Sequence, residues 1–459
     1  MLSEHVAARV LAEAVRTGGD FAEIFLEDRL NHSLSMVSGK VETVNSLRLH
    51  GAGVRVFSGT QGIYVYTNDT SEEGLVACAR RAAGAIAEGK GAAILPLQWQ
   101  DTPSIHPILL RPDQVKSARK IEKMRAAQAA LKQYDEISQA AISYSDSLQR
   151  VWIANTEGLF TGDTRVYTRF FVNAIASNGT ENQTGTASPG AMQGFEIFDH
   201  RIDPESCGHK AARQAITMLH APLCPAGVMP VVIDNGFGGV IFHEACGHSL
   251  EATSVAPGNS EFCGKLGQKV ASDKVTAIDD GTMPNEWGSL NIDDEGTPTT
   301  RLVLIENGIL KNYMIDKLNA RKMGMPITGS SRRQGYMFAP TSRMRNTYIA
   351  AGDDDEAEII SSMGDGLYAK AMGGGSVEPS TGKFNFNVLE GYLVKDGKIA
   401  HPVRGASLIG RGSEILPLID RVGKDMQMAQ GMCGSMSGSV PTNVGQPMIR
   451  VSSMTVGGR

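Results

Sequence analysis

The sequence predicts an α+β protein, in which an N-terminal region of α/β layers precedes a β-rich C-terminal domain of barrel- or sandwich-like form. Three observations favour this fold class. Helical periodicity and alternating strand patterns are interspersed in the first half of the chain. Hairpin signals of the Asn-Gly and Asp-Gly type recur in the second half. The hydrophobic and charged fractions, 41% and 20%, are those of an ordinary globular protein.

Two proline-containing crossing segments divide the chain. The first, AAILPLQWQDTPSIHP, follows a helix, and the second, APLCPAG, precedes a glycine-rich and strand-rich remainder. A chain of 459 residues is long enough for two or three domains and a large buried core. We therefore predict an N-terminal α+β domain at residues 1–95, a central α+β domain at 96–222 and a β-rich domain at 223–459.

The first domain is predicted to begin with an amphipathic helix. Its apolar positions at helical spacing are Val6, Val10, Leu11 and Ala14. Residues 21–28 and 32–39 have the pattern of two short strands, and a hairpin-rich stretch follows them. Thr70 and Glu73 form a T-x-x-E capping box, which predicts a helix over the next apolar run.

The central domain is predicted to combine two helices with a run of strands. Pro112 opens a long helix over about residues 113–133, because proline is favoured in the first helical turn. A second helix is predicted over about residues 204–219. The strand patterns between the two helices lie at 136–147, 150–160 and 164–178.

The C-terminal domain is predicted to consist mainly of hairpins, with one helix. The helix covers VIFHEACGHSLEA, residues 240–252, which follows a strand and a turn. Asn307-Gly308 and Asp396-Gly397 each stand between two strand patterns. Many such hairpins are typical of a barrel or a sandwich.

Charge and cysteine content exclude several classes of protein. The 44 basic and 49 acidic residues give a net charge of −5, which argues against a nucleic-acid partner. Six scattered cysteines form no dense framework, which is typical of reduced thiols in the cytoplasm. The N-terminal stretch lacks the apolar core of a signal peptide, and no apolar run reaches about 18 residues. We therefore expect a cytoplasmic protein without a membrane partner.

The motif His243-Glu244-Ala-Cys-Gly-His248 has the residue types of a metal site but an unusual spacing. On a regular α-helix, two residues five apart point about 140° away from each other, so they could not easily share one ion. A widened turn of the π type would bring the two histidines together, and such turns occur mostly at functional sites. Gly247 weakens the helix at this point and would ease the distortion.

Two imidazoles of this kind are typical ligands of zinc, which lowers the pKa of a bound water, and Glu244 suits the role of general base. A third protein ligand is needed, and the spacing leaves its identity open. The candidates are Glu251, Cys246, Cys263 and Cys433. Glu251 could instead hold a histidine by a hydrogen bond. The alternative reading is a pair of histidines on an ordinary helix.

Several stretches, in the same order along nearly the whole chain, resemble the TldD/PmbA (TldE) metalloprotease family. They are HEACGHSLEA, TGSSRRQGY, APTSRMRNTYIAAGD, GGGSVEPSTGKFNFNVLEGYLVKDGKI and MCGSMSGSVPTNVGQP. In that family, H-E-x-x-x-H marks the TldD-type, catalytically competent subunit, and the PmbA-type partner lacks it. The resemblance implies a peptidase with a β-rich metal domain, active in peptide maturation or in degradation of small unstable proteins.

The resemblance also implies the residues of the site. It implies one zinc ion per chain, bound by His243, His248 and Cys433, with Glu244 as the catalytic base. It implies a dimer, formed with a PmbA/TldE-type paralogue or with a second copy of the chain, that encloses the site in a chamber. Unfolded or extended peptides would reach such a chamber and be held by strand addition.

Four further residues carry predictions about specificity and support. Arg343 and Asn346, in the polar stretch RMRNT, are candidates for holding the peptide. Two positions depart from the family pattern, because Thr253 stands where an acid is usual and Ser435 where a lysine is frequent. Both departures would affect either the residues that support the metal ligands or the substrate preference.

Two other functions remain to be compared with the peptidase. A non-catalytic subunit that captures peptides or stabilises a protease partner is the alternative, and the intact motif argues against it. A direct regulator of gyrase or of another DNA-binding protein is disfavoured by the acidic balance of the chain.

Overall fold

The computed structural model describes residues 2–86, 89, 91–378 and 380–458. Its first half is built on one eight-stranded sheet with the order β3-β2-β1-β5-β6-β4, in which β7 and β8 also pair with β6. The strands are β1 (Phe21–Val37), β2 (Lys40–Ser58), β3 (Gln61–Thr67), β4 (Gln98–Gln100), β5 (Ile137–Asn155), β6 (Leu159–Ser177), β7 (Asn182–Ala187) and β8 (Gly190–Ala191). Residues on both sides of position 95 thus contribute to a single sheet, and the predicted domain division stays a prediction.

Helices cover this sheet in two groups. The first group is α1 (Glu4–Ala14) and α2 (Glu72–Gly84). The second is α3 (Ser117–Leu131), α4 (Ile197–His200) and α5 (Pro204–His220). The predicted amphipathic helix at the N-terminus is confirmed, with Val10, Leu11 and Ala14 fully buried, although Val6 is only partly buried. The helix predicted at 204–219 is also confirmed, and Asp203 caps it by accepting from two backbone N–H groups.

The prediction of two short strands at 21–28 and 32–39 is wrong. The structure has the single strand β1 there, paired with both β2 and β5 along its length. The polar residues in its middle interrupt the apolar pattern because that part of the sheet is only half-buried. The strand pattern at 136–147 and the first part of the pattern at 150–160 are likewise joined in the single strand β5, which ends at Asn155, and residues 159–160 already belong to β6.

Two predicted helix starts are wrong as well. Ser71, and not Thr70, caps α2, since its Oγ accepts from Gly74 N at 3.1 Å, while the Thr70 hydroxyl contacts His50 Nε2. Pro112 opens a short 3₁₀ turn, Pro112–Gln114, and α3 begins only at Ser117. The extended backbone of Val115, with ψ of 123°, separates the two helical pieces.

The C-terminal half is strand-rich, as predicted. Its strands are β9 (Gly227–Ile233), β10 (Ala277–Asp280), β11 (Arg301–Glu306), β12 (Ile309–Leu310), β13 (Ser331–Arg332), β14 (Thr341–Ser342), β15 (Asn346–Ile349), β16 (Gly366–Glu378), β17 (Lys383–Lys395), β18 (Lys398–Val403), β19 (Ser407–Arg411), β20 (Ile419–Val422), β21 (Gln427–Ser435), β22 (Gly438–Gln446) and β23 (Ile449–Gly457). Five of these strands close into a barrel, because the order β16-β9-β23-β19-β17 returns to β16 through a direct β16–β17 pairing. The α+β class with a β-rich barrel is confirmed.

A six-stranded sheet, with the order β12-β11-β10-β15-β22-β21, lies beside the barrel. The hairpin predicted at Asn307-Gly308 joins β11 to β12, and the hairpin at Asp396-Gly397 joins β17 to β18. All four turn residues have positive φ, which explains the Asn-Gly and Asp-Gly sequences.

Short helices connect the strands of this half. They are α6 (Val240–Phe242), α7 (Ala252–Val255), α8 (Lys317–Met323), α9 (Glu356–Ser361) and α10 (Gly412–Ile415). Between α6 and α7 the chain forms a π-helix, His243–Gly247, and a 3₁₀ turn, His248–Leu250. The apolar side chains of this segment are buried in one core with the barrel strands. None of the helices described is long and apolar enough to cross a membrane.

Buried ion pairs join the N-terminal sheet to the C-terminal half. Arg55 on β2 pairs with Glu295 at 2.6 Å, and Arg165 on β6 pairs with Asp294 at 2.7 Å. Burial opposes a charged guanidinium, but the carboxylates outweigh it and raise the pKa of both arginines. Burying such pairs is costly unless every partner is present, so the two halves are held in one register.

Candidate metal centre

The two motif histidines lie on a widened helical turn, as their spacing predicted. The backbone N–H of His248 donates to the carbonyl of His243, which is the i→i+5 bond of a π-helix. The two rings are 5.2 Å apart between centroids and nearly perpendicular, at 81°. The helix predicted over 240–252 is therefore helical but irregular, and the irregularity places both imidazoles on one side.

Glycine is required at position 247 by a close neighbour. A Cβ atom there would lie 2.1 Å from the Sδ atom of Met344, which is fully buried just before β15. The absence of a side chain thus lets the π-helix pack directly against that methionine. The sequence pointed to Gly247 as a weak point of the helix, whereas the structure adds this packing reason.

Cys433 joins the histidines from a distant part of the chain. It lies on β21, and its Sγ is 3.3 Å from Nε2 of His248. One ligand atom from each of His243, His248 and Cys433 lies within 4.8 Å of the others, and all three residues are buried. The other candidates take different places: Cys263 Sγ contacts the carbonyl of Val255, and Cys246 is buried in the apolar core.

The electrostatics of this cluster favour a thiolate between imidazoles. Burial by itself would raise the pKa of the Cys433 thiol, but the charges of His243 and His248 hold that pKa well below its usual range. Burial would lower the pKa of His248, but Glu251 and Cys433 raise it well above its usual value. The thiolate is the form in which cysteine binds a metal.

The donor set fits a zinc ion. Two imidazoles and one thiolate are among the ligand combinations of catalytic zinc sites, which keep a further position open. Within the described chain, Nδ1 of His243 is buried without a hydrogen-bond partner, which is costly for a polar atom unless something binds there. The cluster therefore has the composition, the proximity and the unmet binding capacity of a metal site.

Glu244 lies beside the cluster and is more exposed than its members. Its Oε2 is 3.7 Å from Nε2 of His248, the same nitrogen that contacts Cys433. Its side chain keeps 23% of its exposure, so the carboxylate faces both the ligand atoms and an accessible space. That is the position a proton acceptor needs.

Glu251 and Arg343 contact the candidate metal ligands His248 and Cys433 and fix their positions. Nδ1 of His248 donates to Glu251 Oε2 at 3.1 Å, which fixes the ring with Nε2 turned toward Cys433. Arg343, fully buried, has its Nε 3.7 Å from Glu251 Oε1 and donates from Nη2 to the carbonyl of Cys433. The guanidinium of Arg343 thus contacts both Glu251, which orients His248, and the backbone of Cys433.

Asn346 has different surroundings. Its Nδ2 donates to Asp280 O and to Ser289 Oγ, both at 2.6 Å, and its Oδ1 accepts from Gly288 N at 3.0 Å. The amide is thus engaged within the protein, and none of these partners belongs to the ligand cluster. Its suggested contact with peptide stays a prediction.

The two departures from the family pattern lie outside the ligand atoms. Thr253 Oγ1 contacts the hydroxyls of Thr341 and Ser342, so it joins α7 to β14. Ser435 is exposed and ends β21, where it pairs with Gly438. Sequence reasoning missed the hydrogen bond from Gln334 N to the carbonyl of Ser437 at this turn, because residue patterns do not indicate contacts between distant segments.

The fold and the cluster define a metallopeptidase. Sequence models of PmbA/TldA metallopeptidase domain 1, central domain and C-terminal domain match residues 22–86, 110–219 and 226–458 in turn. The chain belongs to the PmbA/TldD metallopeptidase family, as its motifs had indicated.

Individual relatives agree with this assignment. A metalloprotease TldD homologue of Haemophilus influenzae is 35% identical over 451 residues, covering 96% of this chain and 93% of its own. The solved structure of a Thermotoga maritima protein, described as a modulator of DNA gyrase, is 22% identical with a TM-score of 0.80, covering 99% of this chain and 100% of its own. The structure of TldE from Thermococcus kodakarensis is 16% identical with a TM-score of 0.79, covering 98% and 99%.

Proposed function

We propose that this chain is a zinc-dependent peptidase of the TldD type, which hydrolyses peptide bonds in unfolded or extended peptides. The observation that carries the proposal is the convergence of His243, His248 and Cys433, with the carboxylate of Glu244 beside them. Its cellular role would be peptide maturation or degradation of small unstable proteins in the cytoplasm.

His243, His248 and Cys433 would hold the zinc ion, and Glu251 would keep His248 in the correct tautomer. Imidazole and thiolate ligands together favour zinc, although iron and cobalt bind similar donors. A bound zinc ion supplies a Lewis acid that acidifies water and polarises a peptide carbonyl. Glu244 would accept the proton of the attacking water at Oε2 and pass it to the leaving amine.

An unpaired strand edge supports the extended form of the substrate. In the described part of the chain, β21 pairs with β22 along one side only and ends the six-stranded sheet. Cys433 lies on that strand, so a peptide added along the free edge would run past the ligand cluster. Binding through the backbone would accept many sequences, as degradation of varied proteins requires.

A large cleft offers a path to this edge. It encloses about 1190 Å³ and is lined by α5, by β16 and by β21 residues 427–430, a few positions before Cys433. We propose that a partner subunit closes over this space and forms an enclosed chamber. The partner would be a TldE-type paralogue or a second copy of this chain, and the likeness to a TldE structure supports such an assembly.

The experiment combines metal analysis with one conservative substitution. Glu244→Gln keeps the size of the side chain but removes the proton acceptor, so it should retain about one zinc per chain and lose hydrolysis of unfolded peptides. The matched control is Glu414→Gln, because Glu414 is 67% exposed and lies on α10. Zinc is measured by plasma mass spectrometry on untagged protein, with and without the purified TldE-type partner.

Two outcomes would contradict the proposal. Normal cleavage by the Glu244→Gln variant would remove Glu244 from the base role. A parent protein that binds peptides but binds no zinc and cleaves no peptide, alone or with a partner, would favour the non-catalytic subunit.

A further inference from the structure

The segment at residues 331–336, SRRQGY, is held by the N-terminal sheet on one side. Glu27 and Arg29, both on β1, make the contacts. Glu27 Oε2 accepts from Tyr336 N at 2.8 Å, and Arg29 Nη2 donates to the carbonyl of Gln334 at 2.8 Å. Glu27 is fully buried, and its Oε1 forms an ion pair with Nε of Arg29 at 3.0 Å. The backbone of the segment is thus fixed to β1 at two places.

On its other side, the same segment holds the turn between β21 and β22. Gln334 N donates to Ser437 O, and Gln334 Oε1 accepts from Ser439 N, both at 2.8 Å. Gly438 lies between these contacts with φ of +84°, and a Cβ atom there would lie 2.5 Å from the Cβ of Gln334. Gln334 therefore contacts the turn before and after its glycine.

This turn is directly connected to the cysteine of the metal cluster. Arg343 donates from Nη1 to Ser437 Oγ at 2.9 Å and to Gly438 O at 2.8 Å. The same guanidinium donates from Nη2 to the carbonyl of Cys433. A shift of the turn would therefore move Cys433, whose Sγ must stay close to both histidines.

We propose that Gln334 is a positioning residue for the metal site, which it supports through the β21–β22 turn. It touches neither the ligand atoms nor the substrate edge, and it acts by holding the turn against the N-terminal sheet. The inference rests on the proposed zinc site and adds a role for the N-terminal region in zinc affinity. Residues that orient ligands from outside the cluster affect metal affinity by about 10- to 100-fold when they are changed.

The test compares two substitutions at the same position. Gln334→Leu removes the acceptor for Ser439 N, whereas Gln334→Glu keeps an acceptor at nearly the same length. The matched control is Gln214→Leu. Gln214 lies on α5, and its Oε1 likewise accepts a backbone N–H, that of Thr186 at 2.7 Å. Zinc affinity is measured by competition with a chromophoric chelator, and the melting temperature of each metal-free protein is recorded.

We expect zinc affinity about tenfold weaker in Gln334→Leu. Gln334→Glu and Gln214→Leu should stay within about twofold of the parent. With cobalt(II) in place of zinc, the thiolate-to-metal absorption band of Gln334→Leu should shift or weaken, which a purely structural role would not produce. If Gln334→Leu does not fold, Arg29→Met tests the same connection from the N-terminal side, with the same expected direction.

The possible failures are distinguishable. Unchanged affinity and an unchanged cobalt spectrum in Gln334→Leu, in a parent that binds zinc, would overturn this inference alone. Equal losses of affinity in Gln334→Leu and Gln214→Leu, parallel to their melting temperatures, would also overturn it. A parent that binds no zinc after loading would overturn the proposed function together with this inference.

Discussion

The Sγ atom of Cys433 lies 3.3 Å from Nε2 of His248, although 185 positions separate the two residues along the chain. This contact joins the π-helix of the motif to the edge strand of the six-stranded sheet. Burial raises the pKa of the thiol, but the two imidazoles reverse that effect and lower it well below its usual range. A thiolate stabilised in this way is an effective metal ligand before any ion arrives.

Replacement of Cys433 should abolish tight zinc binding. Cys433→Ser keeps the shape of the side chain but removes the thiolate, so zinc affinity should fall by more than about 100-fold. The measurement is the zinc content after dialysis, together with chelator competition. Cys263→Ser serves as the control, because Cys263 Sγ donates to the carbonyl of Val255 at 3.5 Å and lies outside the cluster of His243, His248 and Cys433. Full zinc retention in Cys433→Ser would move the third ligand to another residue.

Loss of the charge at Glu251 should weaken the site without emptying it. Glu251→Gln can still accept from His248 Nδ1, but its neutral amide no longer favours a strongly donating imidazole or balances Arg343. Zinc affinity should fall by about 10- to 100-fold. Glu261→Gln is the matched control, because its side chain is also largely buried, with 7% exposure against 3% for Glu251, and its ion-pair partner is Arg411. Equal affinities in parent and Glu251→Gln would remove Glu251 from this role.

Asp354 should make stability depend on pH in the acid range. Burial raises its pKa, but the N–H of Val422 and the cations Arg421 and Lys274 outweigh burial and lower that pKa from 3.8 to about 2. The folded pKa lies below the unfolded one, so the contribution is present above about pH 4 and is lost as pH falls through about 2. The free energy of unfolding should therefore drop by about 2 kcal/mol over this window.

The comparison for this pH effect is Asp354→Asn, measured by denaturant unfolding between pH 2 and pH 6. Subtraction of the two curves isolates the contribution of the carboxylate from that of all other acids. A difference that stays constant across this range would contradict the lowered pKa of Asp354.

The sequence predicted the part of the site that depends on local geometry. Two histidines five residues apart need a widened turn to face one side, and the π-helix at His243–Gly247 provides it. Cys433 could not be chosen from residue patterns, because periodicity carries no information about contacts between distant segments. Only the resemblance to a family selected it among the four candidates.

The errors in the fold also have local causes. The polar middle of β1 resembled a break because strand patterns assume one buried face, whereas this strand is half-buried there between β2 and β5. The start of α2 shifted to Ser71 because the Thr70 hydroxyl contacts His50 on β2 instead. Tertiary contacts thus decided both positions against the local pattern.

The contact between Gly247 and Met344 should make the π-helix intolerant of any side chain at position 247. A Cβ atom would lie 2.1 Å from Met344 Sδ, and the backbone atoms of the turn cannot move away without shifting both histidines. Gly247→Ala should therefore lower the free energy of unfolding by about 1–3 kcal/mol, the usual cost of overpacking a core. It should also weaken zinc binding, since the ligands lie on either side of the substitution.

Shortening the neighbour separates these two effects. Met344→Ala by itself leaves a cavity and should destabilise the protein by about 2–5 kcal/mol. In the double variant, the new side chain at position 247 gains room. The loss of unfolding free energy in that variant should therefore be clearly smaller than the sum of the losses in the two single variants. The measurement is a double-mutant cycle of unfolding free energies, with zinc affinity recorded for each variant. Strict additivity of the two unfolding losses would show that the close approach of Met344 does not explain the glycine.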